Sequence, residues 1–489
     1  MKIKHLLVAA GLLLSASSMA QNKIEFEEYD LDNGLHVILH KDKTTPIAAV
    51  TMMYHVGSKN EDTARTGFAH FFEHLLFEGS QNIDRGEFDN YVENAGGTLN
   101  ANTSNDRTFY YVLMPSNQVE RGLWLESERL LHAKVENIGV ETQREVVKEE
   151  KRLRVDNQPY GTFIGEAMKR SFSEHPYRWM PIGSMEHLNA AQEVDYQNFY
   201  NKFYVPNNAV LSIAGDIDIK QTKEWINKYF ATVPAGDKLI AYRDYFNLTE
   251  ADFRTKYNKG DANAFDASRA SKEPMEFINA LKLSTKHSVV PRPNIVEPPL
   301  KGEIRDTIYD NIQLPGVFHT YRIPAQGTPD FYAVSMLNML LSGGNSSRMT
   351  KKIVDEDLKA LYVGSFPFPL EDPGVNIIMA ICNMGNDPKD VEASIDSEVK
   401  KVQNELISDK EFQKLRNQIE NDYVSGYSTI AGIAESLANY HMYFGEANLI
   451  NTEMERYMKV TKEDIQRVAK KYLVENNRVV LYYLPKEEK

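Results

Sequence analysis

The sequence predicts an α+β protein built as two similar halves. Strand and hairpin signals recur along the chain with helical stretches between them. The segment VDYQNFYNKFYVPNNAVLSIAGDI reads as helix, short loop and strand, and VTKEDIQRVAKKYLVENNRVVLYYLP near the C-terminus reads the same way. Asn207-Asn208 in the first matches Asn476-Asn477 in the second, each just before a β-rich run. A unit repeated at this scale points to two similarly built halves. Chance likeness between two generic helix–strand units is the competing reading.

Each element has its own signal. The turn Asp32-Asn33-Gly34 joins the alternating stretches EFEEYDL and LHVILH, a hairpin signature. IAAVTMMYHV reads as a buried strand, and the stretch around His70 as a helix. GEFDNYVENAGG predicts a short helix stopped by Gly96 and Gly97. TLNANTSNDRTFYYVLM predicts a strand pair, and helical patterns run through 116–155. The first half closes near residue 236. Residues 237–292 fit neither half: a polar stretch reads as a helical insertion, and VVPRPNIVEPP as an extended linker. From Glu303 strand patterns resume, with a helix over FYAVSMLNMLL. The expected organisation is thus 1–20, 21–236, 237–292 and 293–489.

The first twenty residues carry Lys2 and Lys4, an apolar run from Leu6 to Leu14, and Ser18-Met19-Ala20 as a small-x-small cleavage site. They predict a signal peptide and an exported protein, periplasmic or secreted. No Cys follows the site, so a lipid anchor is not expected. Beyond this segment no run is apolar for long enough to span a bilayer. Removing residues 1–20 deletes two lysines and no acid, taking the net charge from −13 to −15. Such a chain repels nucleic acid phosphates, and no basic stripe offsets that. Cys382 is the single cysteine, so no internal disulfide forms; the run VNIIMAICNM makes it a buried strand residue.

The chemistry concentrates in GFAHFFEHLLFEGS. His70 and His74 are four residues apart and stack on one helical face. Two neutral imidazoles there make half of a zinc site, and Glu73 beside them is placed to take a proton from an attacking water. H-x-x-E-H is the inverted form of the common zinc-protease motif. The competing reading is a polar face turned to solvent, which the Phe and Leu neighbours oppose. A catalytic zinc takes three protein ligands. In ETQREVVKEEKRLRVDNQPYG, helical spacing puts Glu141, Glu145, Glu149 and Arg152 on a charged face. Val146, Val147, Glu150 and Leu153 fall on the apolar one. Glu150 is a carboxylate where an unpaired charge is costly, so it is the expected third ligand. Gln143, two turns earlier, is the expected second-shell hydrogen-bonding group.

These residues resemble the insulinase/pitrilysin family of zinc peptidases. The chain is most similar to half-length bacterial members and to mitochondrial processing peptidase subunits. The spacing from His74 to Glu150, GGTLNANTSNDRTFYY, VVKEEKR, DNQPYG and YVPNNAVLSIAGDI all share the family's look. The resemblance implies two α+β domains, each a mixed sheet packed with helices. It implies a zinc endopeptidase, one ion per chain, acting on peptides or small unfolded proteins in a closed chamber. Substrate there adds as a strand to a sheet edge, matched by Asn100, Ala101, Asn102 and Thr103. An ordinary turn is the plainer reading of those four residues. Family chambers use four such domains, so a second chain is implied.

Two departures stand out. The family often has Glu where Gln143 stands. It also places an Arg seven residues before a Tyr to grip substrate; Tyr362 matches the Tyr, but Asp355 stands at the Arg position. Some half-length relatives divide the metal motif and the Arg/Tyr pair between two chains. The expectation is therefore a heterodimer with this chain as metal-bearing subunit, a homodimer being the other arrangement. The alternative function is a non-catalytic structural or peptide-binding subunit.

Overall fold

The computed structural model describes residues 23–258, 275, 278, 279, 281 and 283–486. The expected signal segment and most of the polar insertion lie outside the described residues. The first sheet contains β1 (Glu27–Asp30), β2 (His36–Lys41), β3 (Ile47–Tyr54), β4 (Thr98–Thr103), β5 (Thr108–Pro115) and β6 (Ala209–Gly215), in the order β1-β2-β6-β3-β5-β4. The second contains β7 (Ile304–Asp310), β8 (Gly316–Arg322), β9 (Ala360–Phe368), β10 (Val375–Cys382) and β11 (Arg478–Pro485), in the order β7-β11-β8-β10-β9. β2 runs parallel to β6, and β7 to β11; every other pairing is antiparallel. Leaving β1 aside, the two strand orders are the same sequence of crossovers. The fold is α+β with two sheets of like topology, as the repeated helix–strand unit predicts.

The Asn pair in that repeat has a physical cause. Asn208 Nδ2 donates to the carbonyl of Phe203 at 2.8 Å, and Asn477 Nδ2 to the carbonyl of Tyr472 at 2.8 Å. In each half this amide satisfies an orphan carbonyl at the end of the helix before the last strand.

Strand burial follows position. β3 and β6 sit between neighbours and are buried almost throughout, so they read as continuous apolar runs. β4 is an edge and alternates exposed with half-buried residues. One face of the first sheet packs on Phe68–Leu75, Val119–Leu131, Asn137–Lys151 and Glu193–Phe203 through Phe71, Phe72, Leu123, Val147 and Tyr200. Its other face is covered from the second half, where Ile433, Ala434, Leu437 and Ala438 of the helix Ile430–Phe444 meet Ile38, Met53 and Val210. The exchange is mutual: Ala167 and Met168 of the helix Phe163–Ser171 pack on Phe318, Ile377 and Leu481 of the second sheet. Each half completes the other's core. Cys382 is buried at the end of β10. Residues 283–300 are extended without regular structure, as the Pro-rich reading predicts. Before them the helix Asp237–Asn247 packs through Leu239, Tyr242 and Tyr245.

Ionic contacts also join the halves. Lys59, buried, meets Asp106 at 3.0 Å and Asp372 at 3.1 Å and also pairs with Glu371. His55 lies 3.0 Å from Glu371, and His175 3.2 Å from Asp372.

Candidate metal centre

Phe68–Leu75 is a helix because Phe68, Ala69, Phe71, Phe72 and Leu75 bury around it. It starts at Gly67, whose φ of 95° lies in the left-handed region. The backbone of Gly183 approaches Gly67 so closely that a Cβ on Gly183 would lie 2.3 Å from the Gly67 Cα. Glu61 closes the helix start: its carboxylate accepts from the N–H groups of Gly67 and Ala69, each at 2.9 Å, and from Trp179 Nε1 at 3.1 Å. Burial pushes the Glu61 carboxyl up to about 8 against the pull of those donors. Below the helix, Tyr110 of β5 donates to the carbonyl of Phe72 at 3.0 Å. Together these contacts fix the turn that carries both imidazoles.

The helix Asn137–Lys151 crosses beside it, and a Cβ on Gly139 would sit 3.3 Å from Leu75. It brings Glu150 to the two rings. Glu150 Oε2 lies 3.1 Å from His74 Nε2 and 3.3 Å from His70 Nε2, and the two Nε2 atoms are 3.4 Å apart. Hydrogen bonding from His70 and then His74 holds the Glu150 carboxyl well below the usual carboxylate range, with burial opposing. Its other oxygen takes Arg154 at 2.9 Å.

The three donor atoms fit a zinc ion. Bonds of zinc to imidazole and carboxylate place tetrahedral donors about 3.3–3.6 Å apart, close to the triangle seen here. Two nitrogens and one oxygen are also a common catalytic donor set, with a fourth position left open. Glu73 stands on the same helix, half-buried, and its carboxylate has no hydrogen-bond or ion-pair partner among the described residues. Burial, with a smaller push from the Glu73 charge, raises the phenols of Tyr110 and Tyr204, so both stay protonated at neutral pH.

Comparison with known proteins points to one family. A family model described as insulinase (peptidase family M16) matches residues 36–173, and one described as peptidase M16 inactive domain matches residues 194–419. The chain belongs to the insulinase family. The M16 chain is 26% identical over 489 residues to the zinc protease PqqE of Helicobacter pylori, covering 99% of each. It is 27% identical over 210 residues to the mitochondrial-processing peptidase subunit beta of Saccharomyces cerevisiae, covering 43% of this chain and 45% of that one. The crystal structure of a protease from Helicobacter pylori superposes with a TM-score of 0.80 at 25% identity, over 94% of this chain and 100% of that one. Relatives named as zinc proteases support a peptidase role and zinc as the metal.

Other expected residues of the M16 chain fall in two groups. Asn100, Ala101, Asn102 and Thr103 form most of β4 rather than a turn. β4 pairs only with β5 among the described residues, so its outer edge is open, and it packs beside the motif helix. Tyr362 lies on β9, the edge of the second sheet, and is 49% exposed; Asp355 is exposed within the π-helical segment Thr350–Glu356 before it. Two readings need correction. Val146 is 43% exposed and Leu153 54% exposed, so the apolar face of 137–151 consists of Val140 and Val147 with Glu150 beside them. Leu153 is displaced because the helix widens into a π-type turn at Arg152–Asp156. Gln143 donates to Glu78 at 2.6 Å and not to His70, His74 or Glu150, because Glu78 leaves the end of the motif helix directly opposite it. Sequence reasoning missed Glu61 and Arg154. Arg154 had a signal, four residues after Glu150 on a helix; Glu61 had none.

Proposed function

We propose that this chain is a zinc-dependent endopeptidase, with His70, His74 and Glu150 holding one ion and Glu73 as the general base. The observation that carries this reading is the triangle of donor atoms, 3.1 to 3.4 Å on a side, beside an unpaired carboxylate. When bound, zinc supplies a Lewis acid that polarises the scissile carbonyl and brings the pKa of a water toward about 7. Glu73 removes a proton from the attacking water and returns it to the leaving amine nitrogen as the peptide bond breaks. Glu150 and the two imidazoles hold the ion in place, and Arg154 orients the Glu150 carboxylate. The open edge of β4 supports substrate binding as an added strand, with Asn100–Thr103 supplying main-chain partners. Tyr362 is the residue assigned to grip substrate from the second half.

The natural assembly in this reading pairs the chain with a related one that carries an Arg/Tyr pair, and encloses peptides or small unfolded proteins in a closed chamber. Its place of action is the periplasm, after removal of residues 1–20. A non-catalytic subunit is the second reading, favoured by Asp355 in place of the gripping Arg. Glu73→Gln separates the two. In the presence of its partner, the variant should keep zinc and lose hydrolysis of a quenched peptide by about 10²–10⁴-fold. Wild-type hydrolysis in Glu73→Gln would refute the base; absence of hydrolysis in the zinc-loaded wild-type complex would favour the second reading.

A further inference from the structure

A second group with the same donor set lies where the two halves meet. Glu28 on β1, His36 on β2 and His441 in the last turn of the helix Ile430–Phe444 bring one oxygen and two nitrogens within 4.8 Å of one another. We propose that these three residues hold a second divalent transition ion, of the zinc class, which ties the helix from the second half to the hairpin of the first.

His36 Nε2 is 3.3 Å from Glu28 Oε2, and His441 Nδ1 is 3.9 Å from the same oxygen. The far nitrogen of His36, Nδ1, lies 2.8 Å from Asp30 Oδ1. Asp30 and His36 are cross-strand partners in the hairpin, so the register itself sets this contact. A carboxylate on Nδ1–H supports a ligating histidine, and Nε2, which faces Glu28 Oε2, is then the nitrogen offered to an ion in exchange for its proton. The two rings are stacked with centroids 3.3 Å apart and planes 11° from parallel. Two imidazolium ions at that distance repel, and neutral imidazole is the ligating form. His441 stands at the C-terminal end of its helix, which closes at Gly445, and that end favours a cation. The stacked rings point their lone pairs side by side, so a shared ion calls for rotation of the His441 ring about Cβ–Cγ. Its side chain is 27% exposed, which leaves room for that movement. The site uses none of the residues of the donor triangle and stands independently of the peptidase reading.

The test is metal stoichiometry of the full chain, stripped with chelator and titrated with Co²⁺ and then Zn²⁺. Wild type should take two equivalents. His441→Ala and Glu28→Gln should each take one, and keep the thermal shift that the first ion gives. His70→Ala/His74→Ala should also take one, and that remaining ion should disappear when His441→Ala is added. Asp30→Asn, which alters only the positioning carboxylate, should weaken the second equivalent by about 10–100-fold. A wild-type stoichiometry, of one or two equivalents, that both His441→Ala and Glu28→Gln leave unchanged overturns the proposal. The comparison of wild type with Glu28→Gln decides the matter even if the first-site double variant does not fold.

Discussion

The two sheets of this M16 chain share one topology and differ in what the equivalent helix carries. Between β3 and β4, Phe68–Leu75 presents His70, Glu73 and His74. Between β8 and β9, Pro329–Ser342 presents Phe331, Val334, Leu337 and Leu341, with Asn338 as its buried polar residue. Asn338 is hydrogen-bonded through both ends of its amide: its Nδ2 donates to the carbonyl of Val334 at 3.0 Å, and its Oδ1 accepts from Ser365. Glu73 has no such partner among the described residues. The difference separates scaffold from chemistry. On the central helix of one copy each polar side chain has a hydrogen-bond partner, and on the other the Glu73 carboxylate has none among the described residues, beside three convergent donor atoms.

That comparison can be broken or sharpened. The largest effect should come from the helix that crosses between the halves. Leu437 is fully buried against the first sheet, so Leu437→Ala should cost about 2–5 kcal/mol. Chemical denaturation followed by probes in each half should show both weakening together. Independent unfolding of the first half at its wild-type midpoint would show that the halves do not share a core. A smaller effect is expected at Asn338→Leu, where Ser365 and neighbouring groups lose a partner, at about 1–3 kcal/mol. Zinc content and peptide hydrolysis should not change. A loss of zinc in this variant would mean that the second half supports the metal directly.

The smallest effect concerns pH. Burial would raise the Glu371 carboxyl, but hydrogen bonding and charge from His55, then Lys59, override it and hold it at about 2, against an ordinary 4.5. A carboxyl lowered in the folded state contributes stability above about pH 4.5 and loses it as pH falls toward 2. Acid titration between those values should therefore loosen the contact between the halves. Glu371→Gln should flatten the pH dependence of stability in that window. An unchanged slope would remove Glu371 from the contact.

Much of this was legible in the sequence, for physical reasons that differ by residue. His70, Glu73 and His74 lie within one helical turn, so spacing alone defines their geometry. The Asn207-Asn208 and Asn476-Asn477 repeat was visible because the second Asn of each pair does the same hydrogen-bonding work in both halves. Glu150 was found by a face assignment that was only partly right. Val147 is buried beside it, but Val146 and Leu153 point outward. Periodicity assumes a regular helix and a single buried side, and neither holds through residue 153. The mutual exchange of helices left no local signal, because Leu437 meets Met53 across most of the chain length. For the same reason His441 could not be paired with His36 before the fold was known. Gln143 lay close to the site, yet a rival acceptor, Glu78, decided its bond.

The most direct test of the central claim is an anomalous difference map at the zinc edge from crystals of the zinc-loaded chain. A peak about 2.0–2.2 Å from Nε2 of His70, Nε2 of His74 and a carboxylate oxygen of Glu150 is the predicted result. No peak among those three atoms, or an ion there that leaves Glu150 out of its coordination shell, would contradict it.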